Sequence, residues 1–234
     1  MVNRRSLLTG GAAFGLLAAA QTKARAVMHI AMLGDSVFDN ASYLAGAPDV
    51  RAQLQAVLTE AEVSSTARDG AVIADIATQL RQIPRSVTHI VVSIGGNDAI
   101  GASGVIDERA RSVADALEKL ARVRDQFNRS YSSMLELLLE RSLPVACCSI
   151  YEPRFPDLAR RRTAAAALAI LNDVITRRVF TKRASLIDLR LVCDEDADFA
   201  NPIEPSAIGG EKIARAIAMF ARTDRATAAV FGRP

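Results

Sequence analysis

Histidine is almost absent from this chain: His29 and His89 are the only two among 234 residues. The scarcity narrows the available chemistry, because histidine is the commonest general base and metal ligand. Cysteine is nearly as rare. Cys147, Cys148 and Cys193 are odd in number and too few for a disulfide scaffold, and no C-x-x-C or His/Cys cluster offers a zinc site. Neighbours in an extended segment point to opposite faces, so either of Cys147 and Cys148 can fill the core while the other meets Cys193. The simpler reading is apolar filling. The chain also lacks tryptophan, a fixed-period repeat and any Pro/Gly/Ser-rich linker in its middle. Solenoids, propellers and collagenous arrays are thereby excluded, and a chain of this length that is half hydrophobic reads as one domain.

What basic excess exists is concentrated at the N-terminus. Arg4-Arg5-Ser6-Leu7-Leu8 is a twin-arginine start, residues 7–20 are apolar, and Ala24-Arg25-Ala26 is an A-x-A cleavage pattern. The apolar stretch falls short of the ~20 residues of a membrane span, is broken by Gly10, Gly11 and Gly15, and is followed by no stop-transfer pattern. Residues 1–26 are predicted to be a Tat-type signal peptide, and 27–234 a single exported domain, periplasmic or secreted, without a stable membrane anchor. Removing 1–26 takes away four basic residues and no acid, so the formal charge moves from +3 to −1. A nearly neutral mature chain gives nucleic acid or an anionic membrane no electrostatic reason to bind. Arg160-Arg161-Arg162 reads as a solvated helix face.

Short apolar runs occupy residues 28–33, 88–94 and 144–150, with weaker ones at 63–66 and 185–189. Between them, helical periodicity covers 50–60, 72–82, 107–141 with a possible break, 158–181 and 206–222. Strands that are apolar throughout, alternating with helices, imply a parallel five-stranded sheet covered on both faces, a three-layer α/β/α sandwich. Such sheets hold ligands in the crevice beyond the strand carboxyl ends. Two polar, glycine-bearing turns stand there: Gly34-Asp35-Ser36 and Gly95-Gly96-Asn97-Asp98.

Ser36, directly after a strand, can present its hydroxyl and backbone N–H groups to that crevice, although Asp35 and Ser36 also suit a helix cap. The Asn97 carboxamide can donate to an oxyanion, with glycines before it that permit close backbone approach. Gly70, in Arg68-Asp69-Gly70, can add a backbone N–H. In these blocks the sequence resembles the SGNH (GDSL-type) hydrolase family over residues 28–222. Gly34-Asp35-Ser36 is similar to its nucleophile block, Gly70 to its second-block glycine, and Gly95-Gly96-Asn97-Asp98 to its G-x-N-D block. The resemblance implies a flavodoxin-like sheet and an esterase, lipase or carbohydrate deacetylase with no metal or cofactor. It also implies Ser36 as nucleophile, and an oxyanion hole from Ser36, Gly70 and Asn97. The substrate it implies is a small-molecule ester or an acylated glycan.

The final family block, D-x-x-H, is here Asn201-Pro202-Ile203-Glu204. Glu204 then stands in the base position and Asn201 in that of the orienting acid. His29 and His89 begin strands, at the edge away from the crevice, and read as structural. A carboxylate is a weak base at an ordinary pKa of ~4.3, but burial or a second carboxylate can raise it by a few units. An Asn beside it can orient it by a hydrogen bond without the repulsion an Asp would bring. Two readings of the crevice follow: a Ser36–Glu204 ester hydrolase, or a non-catalytic relative that binds an acyl or glycan ligand. An interaction module built on the long helices is a third, unsupported by any sustained a/d heptad. Asp194-Glu195-Asp196-Ala197-Asp198 lacks the glycine and terminal glutamate of a calcium loop and reads as solvated. Asp39, Asn40 and Glu152 lie near the crevice edge as further candidates.

Overall fold

A computed structural model describes residues 27–223 and 228–232; the expected signal peptide lies outside the described residues. Each apolar run forms a strand: β1 His29–Gly34, β2 Glu62–Ser65, β3 His89–Ser93, β4 Val145–Cys148 and β5 Ser185–Ile187. A sixth, β6 Val230–Phe231, adds to the five expected. Two residues are too few to show a period, and β6 exists through pairing. The Leu186 and Asp188 N–H groups donate to the Ala229 and Phe231 carbonyls at 2.9 and 2.8 Å. The strands are all parallel, in the order β2-β1-β3-β4-β5-β6.

The helices are α1 Val50–Val57, α2 Ile76–Gln82, α3 Gly96–Ala102, α4 Val113–Leu139, α5 Leu158–Thr181, α6 Leu189–Val192 and α7 Ala207–Arg222. The short α3 and α6 escape the periodicity because one or two turns cannot display it. The predicted helix over 107–141 begins later, at Val113, where the Ser112 hydroxyl accepts the Asp115 N–H at 3.1 Å and caps it. Alternation along the strands sends Met32, Val91, Cys148 and Ile187 to the face under α1 and α7. Leu33, Val92, Cys147 and Leu186 go to the face under α2, α4 and α5. The result is the three-layer sandwich expected. All three cysteines are buried free thiols, with Cys148 and Cys193 in the same layer.

Both histidines sit at the amino edge of the sheet. The His29 ring nitrogens lie 2.8 Å from the Ser86 and Ser64 hydroxyls, and Nδ1 of His89 lies 2.8 Å from the Thr88 hydroxyl. Strand polarity puts them at the opposite ends of β1 and β3 from Ser36 and Asn97. Among the described residues, no helix is long and apolar enough to cross a membrane.

Candidate active site

β1 ends at Gly34, whose φ of +136° and contact with β3 both require glycine. A Cβ there would lie 1.9 Å from the Ser93 carbonyl oxygen. Gln79 of α2, itself buried, clasps this residue from the other side. Its Nε2 donates to the Gly34 carbonyl at 2.8 Å and its Oε1 accepts the Gly34 N–H at 2.7 Å. The chain then turns on Asp35, whose N–H donates to Ser93 O at 3.1 Å. The N–H groups of Val37, Phe38 and Asp39 all turn onto Asp35, whereas among the described residues that of Ser36 does not. Ser36 is left at the carboxyl edge of β1 with an available N–H.

The Ser36 hydroxyl donates to Glu204 Oε1 at 2.9 Å, joining residues 168 positions apart. Both are nearly enclosed, with exposures of 8% and 4%. Four side-chain hydrogen bonds help place the loop that carries Glu204. The Asn201 side-chain oxygen accepts the N–H groups of Ile203 and Glu204 at 3.0 Å each. The Tyr151 hydroxyl donates to Ile203 O at 2.6 Å, and the Asn40 amide donates to Pro205 O at 3.3 Å. Asn201 therefore does not make the bond to the Glu204 carboxylate expected of it. It aims Glu204 through the backbone, and its short side chain closes a turn two to three residues ahead. Among the described residues Oε2 of Glu204 is buried without a hydrogen-bond partner.

Burial pushes the Glu204 carboxyl up to about 7, the charge of Asp69 adding to it and the Ser36 hydroxyl opposing it. Asp35, fully enclosed, is likewise pushed up to about 7, first by burial against the pull of the Val37 N–H, then by the charge of Glu204. Two carboxyl groups whose ordinary values lie near 4 thus bracket Ser36 with values near neutrality. Asp35 went unnoticed in the sequence as an acid of the site because its burial is a tertiary property.

The remaining blocks are tied to one another. Nδ2 of Asn97 donates to Ala71 O at 2.9 Å, and the Asp98 carboxylate accepts the Ile73 N–H at 3.0 Å. Burial raises the Asp98 pKa against that bond. These links fasten the start of α3 to the segment after Gly70, which has φ +77° and is exposed. Asn97, with Asp35, Ser36 and Glu204, lines a cavity of about 720 Å³, whereas Gly70 is outside its wall. Asp39 accepts the Asp69 N–H at 3.0 Å, and Asp69 accepts the Tyr43 hydroxyl at 2.6 Å, raising that phenol to about 12. Glu152 is exposed and lines no part of the cavity. The acidic stretch is less solvated than expected: Asp198 is fully buried, 2.6 Å from Lys212 Nζ. Arg160 also departs from a plain solvated face, stacking on Phe155 at 4.2 Å beside the cavity. Among the described residues no three His, Cys, Asp or Glu side chains cluster to hold a metal.

The profile of the GDSL-like lipase/acylhydrolase family matches residues 32–210, from β1 through the start of α7. The chain belongs to that family. No curated protein sequence matches it. Among solved structures it is similar to phospholipase A1 from Streptomyces albidoflavus NA297, with 18% identity, TM-score 0.60, and 80% of this chain and 96% of that one covered. An extracellular lipase from Streptomyces rimosus matches at 18% identity and TM-score 0.59, over 79% and 95%. An acetyl xylan esterase matches at 16% identity and TM-score 0.62, over 82% and 98%. At such identities the likeness is one of fold. The family is one of ester hydrolases.

Proposed function

We propose that the protein is an exported serine ester hydrolase in which Glu204 serves as the base, acting on carboxylic esters of small alcohols or glycans. The observation that carries this is the 2.9 Å bond from the Ser36 hydroxyl to Glu204, two buried groups at the wall of an open cavity. As Ser36 Oγ attacks the acyl carbonyl, its proton passes to Glu204 Oε1. The negative oxygen that forms is held by the Ser36 backbone N–H and the Asn97 carboxamide, both at the cavity wall, whereas Gly70, outside that wall, takes no part. Glu204 then gives the proton to the departing alkoxide, leaving an acyl-serine. A water, deprotonated by Glu204, attacks this ester and returns the hydroxyl to Ser36. A base with a pKa near the operating pH suits such two-way transfer, and burial supplies that value here. Asn201 is a positioning residue for Glu204.

The test is hydrolysis of a p-nitrophenyl ester by the mature chain across pH 4–9, with fluorophosphonate labelling alongside. The rate is expected to rise with pH through about 7 as Glu204 ionises. Ser36→Ala should abolish both labelling and turnover, and Asn97→Ala should lower kcat by on the order of 10²–10³. A wild-type rate no higher than that of Ser36→Ala at every pH would replace the hydrolase with a crevice that binds its ligand without chemistry.

A further inference from the structure

The apolar stripes of α4 and α5 are longer than the sheet they pack on. In α4, Phe127, Tyr131, Met134, Leu135 and Leu138 are buried. Leu120 and Val123 continue the stripe at the same spacing but face the cavity, and beyond them Val113 and Leu117 are 78% and 56% exposed. In α5, Leu171, Val174, Ile175 and Val179 are buried, while Ala164, Ala167 and Leu168 carry the stripe into the same cavity. The strands, of six residues or fewer, reach about 20 Å. Helices of 27 and 24 residues reach roughly 40 and 36 Å. The N-terminal halves of both helices therefore project past the carboxyl edge of the sheet, with apolar faces that no strand covers.

The space they enclose is continuous with Ser36 and Glu204. Polar groups gather around Ser36, whereas between the helices the wall is mostly apolar, formed by Leu120, Val123, Ala164, Ala167 and Leu168, with Arg160 and Thr163 at the N-terminal end of α5. Alanines stand on α5 where its packed half has valine and isoleucine, which leaves room for an occupant. Along the apolar part of that wall a sugar would lose its hydrogen bonds to water with no side-chain partner to replace them, while a hydrocarbon loses nothing. The α5 wall from Arg160 to Leu171 runs roughly 16 Å. An extended alkyl chain advances about 1.25 Å per carbon, so the wall matches a chain of about a dozen carbons.

We propose that this cavity holds the acyl chain of the substrate, so that the preferred esters carry a straight monocarboxylic chain of about eight to twelve carbons rather than an acetyl group. This rests on the reading of Ser36 and Glu204 as the reacting pair, since the chain must begin at the carbonyl that Ser36 attacks. Ile100 and Ile106, exposed and lining the same cavity, give it an apolar mouth suited to a lipidic ester.

The experiment is a ladder of p-nitrophenyl esters from acetate to dodecanoate, beside dodecanoate binding. The kcat/KM should climb about fourfold per methylene, the factor equivalent to ~0.8 kcal/mol of burial, and level off near eight to twelve carbons. Ala164→Phe, on the projecting half away from the sheet, should lower the dodecanoate-to-acetate ratio of kcat/KM at least tenfold. Leu120→Trp introduces one fluorophore into a tryptophan-free chain, and its emission should shift to the blue as dodecanoate is added. Binding of dodecanoate to Ser36→Ala needs no chemistry and separates the two readings. Fastest turnover of acetate with no dodecanoate binding overturns the acyl cavity and leaves the hydrolase. No turnover at any length, with dodecanoate still bound, overturns the hydrolase and keeps the acyl site. An emission shift that follows protein concentration instead of dodecanoate shows that the stripes meet a second copy, and the proposal fails.

Discussion

Burying the Glu204 carboxyl costs stability, and the cost is visible in its proton affinity. The folded chain holds the Glu204 proton up to about 7, whereas an unfolded glutamate releases it near ~4.3. Between those values the folded state binds more protons than the unfolded one, so its stability falls as pH rises through the window and levels off above it. Glu204→Gln removes the buried charge while keeping the shape. It is expected to melt several degrees above the wild type at pH 8 and at the same temperature near pH 4, as thermal unfolding monitored by circular dichroism will show. A variant less stable at pH 8 contradicts the raised pKa. Asp35 sets the same trend in motion beside it, pushed up to about 7 by its own burial and then by the Glu204 charge. The two acids will titrate as a pair, and the rise of activity with pH belongs to both.

At the scale of elements, α2 holds the nucleophile turn through one side chain. Gln79 occupies both polar groups of Gly34, and Gly34 determines where β1 delivers Ser36. Gln79→Leu leaves the buried Gly34 N–H unpaired, at about 1–3 kcal/mol, while the Gly34 carbonyl keeps the Arg68 N–H at 3.0 Å. The melting temperature should drop by roughly 5–10 °C for a chain of this size. If the clasp also aims Ser36, kcat falls with KM little changed, and Gln79→Glu restores the acceptor half of the clasp and part of the rate. Loss of stability with kcat intact reduces Gln79 to a packing role. Two side-chain bonds, Asn97 to Ala71 and Asp98 to Ile73, fasten the start of α3 to the segment after Gly70, and two more, Ser36 to Glu204 and Asn40 to Pro205, join the Ser36 segment to the Glu204 loop. The site is therefore as rigid as the spacing of β1, β3 and α7.

For the whole molecule, the proposal of export rests on the twin-arginine start and the A-x-A pattern of the sequence. The Arg4→Lys/Arg5→Lys double variant, expressed in a bacterium with a twin-arginine pathway, should leave the protein uncleaved in the cytoplasm while the wild type reaches the periplasm. Fractionation and the mass of the product check this. Equal export of both forms removes the reading of the leader. The three buried thiols are free, so no disulfide adds to the packing of the two apolar layers.

Much of this protein is written locally. Runs of apolar residues and helical stripes are periodic, so the parallel sheet, the extent of α5 and the turns carrying Ser36 and Asn97 are legible without any contact being known. β6 is not, because two residues carry no period and gain their place only by pairing with β5. Nor is the work of Gln79, an unremarkable helical residue until α2 packs under Gly34. The positions of Glu204 and Asn201 follow from the order of the blocks, but their roles do not. Whether a carboxylate can act as a base depends on how much water reaches it, and that depends on loops from β1, β4 and α7 closing around it. The cavity between α4 and α5 is likewise decided in three dimensions. The sequence sets the length of each stripe, and only the folded sheet determines where the strands stop covering them.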